Sequence, residues 1–453
     1  MPEVDWAALG KETTLMLSEL IQIDTTNPPG NEYKAVEYLQ KRLAAEGISS
    51  EVFEREPGRS NLVARLRGRR PGKKLLLLSH VDVVPVPDPK KWKYPPFSGA
   101  IAEGYIWGRG ALDMKNITAI HYSVFTLFQR MKIDFAGELI FAATADEEKG
   151  SAYGAGWLAK THPEQLRADW CLTEGGGLPL QISSKIFYTI ESVEKGLWWF
   201  KVRVKGTSGH GSLPHPDNAL AKAAYIIDRV SNYRFPKKIA PAVREFILKA
   251  GEALGPEIKK LALVLVDESQ ELDLSLLPKD SPISATLLNA LVRTTISPTM
   301  IHAGVKENVI PDSCEFVLDC RLVPGYTQQK VRETLLELAE RYKNDIEIET
   351  IQQHDVSESP IDDPLYKLIE STVKEELPGV ETIPIMLTGA TDSRFVRELG
   401  VKSYGFCPLS TKMSLADREK LIHGDNERVD IESLEFGVKV LSKIALKALE
   451  ARL

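Results

Sequence analysis

The spacing of hydrophobic positions changes twice along the chain, and the changes divide it into three stretches. Residues about 10–24 and 33–46 carry apolar side chains at helical spacing, whereas 50–54, 61–67 and 74–80 read as strands. A helix over about 115–131 leads into GELIFAATADEE, a strand from Gly137 that ends in a loop. Helices alternating with short apolar strands predict an α/β domain around a mostly parallel, buried central sheet. Ligands in such folds gather at loops beyond the carboxyl ends of strands. The chemistry is therefore expected just after the apolar runs.

From about residue 196 the pattern is different. LWWFKVRVKG reads as a strand and NALAKAAYIIDRVSNY as a helix, followed by a less periodic, Pro-containing stretch over about 236–290. Strands are expected at about 291–303, 314–322 and 345–351, with a helix at 327–342. This suits a separate α+β domain. After DVSESPIDDP a helix at about 364–376, a strand at 383–387 and a helix from about 430 restore the first pattern. The expected organisation is one catalytic-type domain built from 1–195 and 356–453, with a second domain inserted over 196–355.

Composition narrows the function classes. A length of 453 residues favours two domains over one core. A net charge of -6 argues against a broad nucleic-acid footprint, which needs a basic face. No apolar run is long enough to span a bilayer, and the first residues lack the apolar core of a signal peptide. Cys171, Cys314, Cys320 and Cys407 form no CxxC pair and read as buried free thiols. A cytoplasmic location follows, with no membrane or nucleic-acid partner.

Six segments carry candidate chemistry. LLLLSHVDVVP delivers His80 and Asp82 at a strand end, a spacing that suits a metal-binding imidazole oriented by a carboxylate. GRGALDMK sets Asp113 before a helix, where an N-cap is the plain alternative. ATADEEKGS places Asp146, Glu147 and Glu148 in a row; they repel one another unless solvated or holding a cation. Glu174 in DWCLTEGGG follows another apolar strand, His210 lies in the loop GTSGHGS, and His423 lies in LIHGDNER. Singly, each has a structural reading. Together, His80, Asp113, Glu148, Glu174 and His423 supply two imidazoles and three carboxylates, a set suited to two divalent ions about 3.5–4 Å apart. Ligation by nitrogen and oxygen without thiolate fits zinc, with cobalt or manganese as substitutes. His121, in the helical run NITAIHYSVF, reads as a packed residue.

These motifs, from NPPGNE at residue 27 to IHGDNER, resemble those of the co-catalytic zinc aminoacylase/carboxypeptidase family. That family includes aminoacylase, acetylornithine deacetylase, succinyl-diaminopimelate desuccinylase and carboxypeptidase S-like enzymes. The resemblance implies a zinc-exopeptidase-like catalytic domain with an inserted lid and dimerisation domain. It implies that His80 and Glu174 bind one zinc, Glu148 and His423 the other, and that Asp113 bridges both. Asp82 would support His80, and Glu147 would be the general base. His210 resembles a lid histidine that stabilises the oxyanion from the neighbouring subunit, which implies a homodimer. In GATDSRF, Arg394 would clamp a free carboxylate with help from the backbone around Gly389, and Asn308 of ENVIP resembles a lid residue near the substrate.

The implied substrate is an N-acyl-amino acid or short peptide, cleaved at the amide beside a free carboxylate. A dipeptidase, or a succinyl-diaminopimelate or acetylornithine type of deacylase, is the alternative within the family. Outside enzymes, the alternative is a metal-dependent binding protein of the same fold; a general base retained beside complete ligands favours the enzyme.

Overall fold

Leu75, Leu76, Leu77 and Leu78 are fully buried in the computed structural model, which describes residues 4–271 and 283–450. They alternate between two cores, Leu75 and Leu77 in one and Leu76 and Leu78 in the other. The neighbouring strand Ala136–Thr144 does the same, with Leu139 and Phe141 on the first face and Ile140 and Ala142 on the second. Successive side chains of a strand point to opposite faces, so an unbroken apolar run belongs in a sheet covered on both sides.

The chain divides into two compact units, residues 1–192, 358–385 and 391–453 forming the first and 193–357 with 386–390 the second. The first holds a ten-stranded sheet. Its order is Ser50–Glu54, Ser60–Arg67, Ala136–Thr144, Arg70–His80, Trp170–Thr173, Lys402–Gly405, Lys185–Glu194 and Ser357–Glu358. Pro179–Ile182 and Glu381–Leu387 also pair with Lys185–Glu194. Pairing is parallel across the four strands from Ala136–Thr144 to Lys402–Gly405, and antiparallel to either side of them. The sheet is therefore mixed. The expected parallel arrangement holds at its centre, where the helices Lys115–Arg130 and Ala155–Thr161 connect successive strands. Helices Trp6–Gln22 and Ile431–Ala448 bury Leu17, Leu20, Leu434, Val438 and Leu441 in the larger of the two cores.

In the second unit, an antiparallel sheet runs Thr295–Ala303, Ser313–Leu322, Gly196–Lys205, Ile346–His354. Trp198, Phe200, Val202 and Val204 face inward, in register with Cys320, Leu318, Phe316 and Cys314. Helix Ala219–Asn232 covers them with Ala219, Ala223, Ile226 and Val230, one residue per turn of helix. Lys201 and Arg203, on the alternate positions, pair instead with Glu315 of the neighbouring strand.

Residues 272–282 of the stretch over 236–290 lie outside the described residues; the rest of it is more regular than its composition suggests. It contains the helices Pro241–Leu254 and Pro256–Leu265, and Ala285–Val292 occupies the start of the strand expected at 291. Pro241 and Pro256 each open a helix, where a missing N–H costs nothing, so they are start signals and not interruptions. All four cysteines are buried and free, as expected. Among the described residues no helix is long and apolar enough to cross a membrane.

Candidate metal centre

The ends of the central parallel strands bring the candidate residues of the first unit together. His80 is the last residue of Arg70–His80. Glu147 and Glu148 form the turn after Ala136–Thr144, and Glu174 follows Trp170–Thr173. Asp113 lies just before the helix Lys115–Arg130, and His423 just after the helix Leu415–Leu421.

Asp113 offers one oxygen to each imidazole. Its Oδ1 lies 3.2 Å from His80 Nε2 and its Oδ2 3.1 Å from His423 Nε2. Glu148 Oε2 is 3.3 Å from His423 Nε2, while Glu174 Oε1 is 3.8 Å and Glu147 Oε2 4.0 Å from His80 Nε2. Two donors on one tetrahedral zinc, each at about 2.0–2.1 Å, lie about 3.3 Å apart. The spacing around Asp113 has this value on both sides. The ligand atoms of His80, Asp113 and Glu148, and those of His80, Glu147 and Glu174, lie within 4.8 Å of one another. Glu148 Oε1 is buried without a hydrogen-bond partner among the described residues, an acceptor that a cation would satisfy. The donor set fits a pair of divalent cations.

Charge supports this fit. Burial, and then the Asp113 carboxylate, raises the Glu174 carboxyl well above its usual range. Burial and the Glu174 charge do the same to Glu147. Burial opposes protonation of His80, yet the Asp113 and Asp82 carboxylates hold its imidazole well above the ordinary value. Hydrogen bonds to Asp113 and Glu148 push His423 up to about 10. So much carboxylate in one buried place calls for compensating positive charge.

Asp82 ties His80 to the turn that carries Glu147 and Glu148. His80 Nδ1 lies 3.1 Å from the Asp82 carbonyl and 3.4 Å from its Oδ1, both acceptors, so in the neutral ring Nδ1 carries the proton and Nε2 is the nitrogen left to bind. The same carboxylate accepts from the backbone N–H groups of Glu147 and Glu148, at 3.1 and 3.2 Å, and so fixes the turn.

The three carboxylates in a row separate. Glu147 and Glu148 face the imidazoles, while Asp146 turns away to Arg59 Nη2 at 2.7 Å and Asn27 Nδ2 at 3.0 Å. Arg59 also grips buried Glu32 through two bonds of 2.8 Å and lies over the Tyr153 ring. Arg59→Met strands two buried carboxylates, and an unfolding free energy lower by about 3–5 kcal/mol is expected. Urea denaturation measures it; an unchanged midpoint would discard the role.

Of the remaining candidates, Arg394 belongs to the first unit. It is only 8% exposed, and its guanidinium lies over the Phe395 ring, 4.5 Å from the centroid, with its charge felt by Asp392. His210, Asn308 and Gly389 belong to the second unit. A short ribbon pairs His210 with Val309, and Gly211 N–H donates to the Asn308 carbonyl, so His210 and Asn308 are neighbours. His210 Nδ1 accepts from the Ser212 N–H at 3.2 Å, which places the ring proton on Nε2. His121 is a packed neutral residue, its pKa lowered to about 3 by burial.

Several supporting residues carry no obvious chemistry in the sequence. Asn27 and Glu32 of NPPGNE, Arg109 of GRGALDMK and Glu427 of IHGDNER lie inside motifs whose other members drew attention. Asp392 accepts from Thr144 at 3.1 Å and from Ser151. Arg59 sits in a loop whose sequence gives no signal.

Comparison with known proteins identifies the family. The model of peptidase family M20/M25/M40 matches residues 76–447. The N-fatty-acyl-amino acid synthase/hydrolase PM20D1 of Homo sapiens is 30% identical over 393 residues, 82% of this chain and 74% of that one. Aminoacylase-1 of Sus scrofa is 26% identical over 453 residues, 97% of this chain and 98% of that one. Among solved structures, the M20 family metallo-carboxypeptidase Sso-CP2 from Sulfolobus solfataricus shares the fold, with a TM-score of 0.72 at 19% identity over 96% of this chain and 98% of that one. The chain belongs to peptidase family M20/M25/M40 and is an amidohydrolase of the metallopeptidase and aminoacylase type.

Proposed function

We propose that the protein hydrolyses the amide bond of N-acyl-amino acids or short peptides beside a free carboxylate, using two zinc ions that cobalt or manganese can replace. The observation that carries this reading is Asp113, with one oxygen toward each of two imidazoles, at 3.2 and 3.1 Å. His80 and Glu174 would hold one ion, His423 and Glu148 the other, with Asp113 between them. When bound, such a pair supplies Lewis acidity and makes water acidic enough to yield hydroxide near neutral pH.

Glu147 takes the proton of the attacking water and hands it to the leaving amine. Asp82 keeps His80 in the tautomer that leaves Nε2 free. His210, supplied from the neighbouring subunit and with Ser212 on its Nδ1, donates its Nε2–H to the oxyanion. Arg394 grips the substrate carboxylate. Residues 1–195 and 356–453 act as the catalytic domain and 196–355 as an inserted lid through which two copies dimerise. Four buried free thiols support a reducing, cytoplasmic setting.

The likeness to PM20D1, an N-fatty-acyl-amino acid synthase/hydrolase, and to aminoacylase-1 supports an acylated amino acid over a succinylated one. The test is a metal-loaded screen of N-acetyl, N-long-chain-acyl and dipeptide substrates with chelator controls. Activity confined to succinyl-diaminopimelate or acetylornithine would overturn the substrate class. Arg394→Ala is expected to lower kcat/KM about 10–100-fold on substrates with a free carboxylate, the worth of a charge-assisted bidentate contact. Steady-state kinetics on carboxylate esters is the control, and an equal loss there would rule out the clamp.

A further inference from the structure

His423 lies 310 residues after Asp113 and is half-exposed, yet its Nε2 meets an Asp113 oxygen at 3.1 Å. Something must hold the two backbones together. Glu427 is fully buried, and its carboxylate fills the loop that carries Asp113. Oε1 accepts from the N–H groups of Leu112 at 2.7 Å and Asp113 at 3.1 Å. Oε2 accepts from Gly110 N–H at 3.1 Å and from Arg109 Nη1 at 2.7 Å. Arg109 then reaches across with Nη2 to the carbonyl of His423, 3.2 Å away. The Glu427 carbonyl accepts from Gly108 N–H at 2.9 Å, closing the connection.

The geometry points to Glu427 and Arg109 as positioning residues that set the distance between Asp113 and His423, and through it the affinity of the ion that His423 holds. His80 and Glu174 sit at strand ends and Asp82 orients His80, so their ion does not depend on this link to the same degree. Asp113 is shared, but its backbone is also fixed by the helix that follows it. His423 has no comparable support: its backbone is left-handed, with φ 61°, and lies between a short helix and a turn. The Glu427 carboxylate has four donors and Arg109 two acceptors, a pattern that a glutamine or a lysine cannot reproduce.

The proposal rests on the two-ion reading above, and the experiment separates the two. Metal-free protein is titrated with Zn2+ by calorimetry and with Co2+ by visible absorption, for the wild type, Glu427→Gln, Arg109→Lys, His423→Ala and Glu174→Ala. Circular dichroism checks the fold, and Arg109→Lys carries the test should Glu427→Gln not fold. The wild type is expected to bind two ions. In Glu427→Gln and Arg109→Lys one dissociation constant rises about 10–100-fold, the usual effect of losing support behind a metal ligand. Their Co2+ spectra change as that of His423→Ala does, unlike that of Glu174→Ala. Unchanged affinities and spectra in both variants, beside a two-ion wild type, overturn the positioning role alone. Equal weakening of both ions overturns its assignment to His423. A wild type that binds a single ion removes the two-ion reading, and this inference with it.

Discussion

Glu147→Ala is expected to lower kcat about 10²–10⁴-fold, the span of a general base, while retaining as much metal as the wild type. Distance to His80 alone does not separate Glu147 from Glu174, since their nearest oxygens lie 4.0 and 3.8 Å from the same nitrogen. Metal content does. A ligand's removal lowers the metal bound, whereas removal of a base leaves it intact and stops turnover. Glu147 is suited to the second role because burial and the Glu174 charge raise its carboxyl, so it accepts a proton more readily than an ordinary glutamate. Elemental analysis beside single-turnover kinetics decides. Wild-type kcat in Glu147→Ala would refute the base, and loss of one metal equivalent there with full metal in Glu174→Ala would exchange the two roles.

What the chain reveals by itself follows from how local the signals are. His80, Asp113, Glu147, Glu148 and Glu174 each follow or precede an element whose apolar period is plain, so their place at strand and helix ends could be read in advance. The alternating burial of Leu75, Leu76, Leu77 and Leu78 is likewise written in the run itself. Arg59 gives no such signal, because its meaning depends on two carboxylates 27 and 87 residues away. Glu427 and Arg109 act across 318 residues and are visible only once the loop around Asp113 is seen. The antiparallel flanks of the sheet depend on pairings, such as Ser60–Arg67 with Ala136–Thr144, that no local period encodes. Proline explains the misreading of 236–290: the same residue breaks a helix interior and opens a helix, and only its position tells which.

Stripping the metal is expected to abolish turnover, and restoring it at pH 8 to release protons, that of His423 among them. The reason lies in the imidazoles. Without metal, hydrogen bonds to Asp113 and Glu148 push His423 up to about 10, and the carboxylates around His80 outweigh its burial and hold it well above the ordinary 6.5. At about 10, His423 is protonated at pH 8, and an imidazole that takes up metal must give that proton up. Calorimetry in buffers of different ionisation heat counts the protons; binding without proton release would refute the charged pair. The same shifts set the pH dependence of stability. A histidine whose folded pKa is raised stabilises the fold fully below about 6.5, and the metal-free protein loses that contribution as pH rises toward about 10. Metal binding runs the other way, since protons compete with the ions and the competition fades as pH rises. The gap in Tm between loaded and stripped protein should therefore widen from pH 6 to pH 9. At a thousandfold excess of free ion over its Kd it corresponds to about 4 kcal/mol per ion. A gap that stays constant or narrows over that range would show that His80 and His423 do not exchange protons for metal.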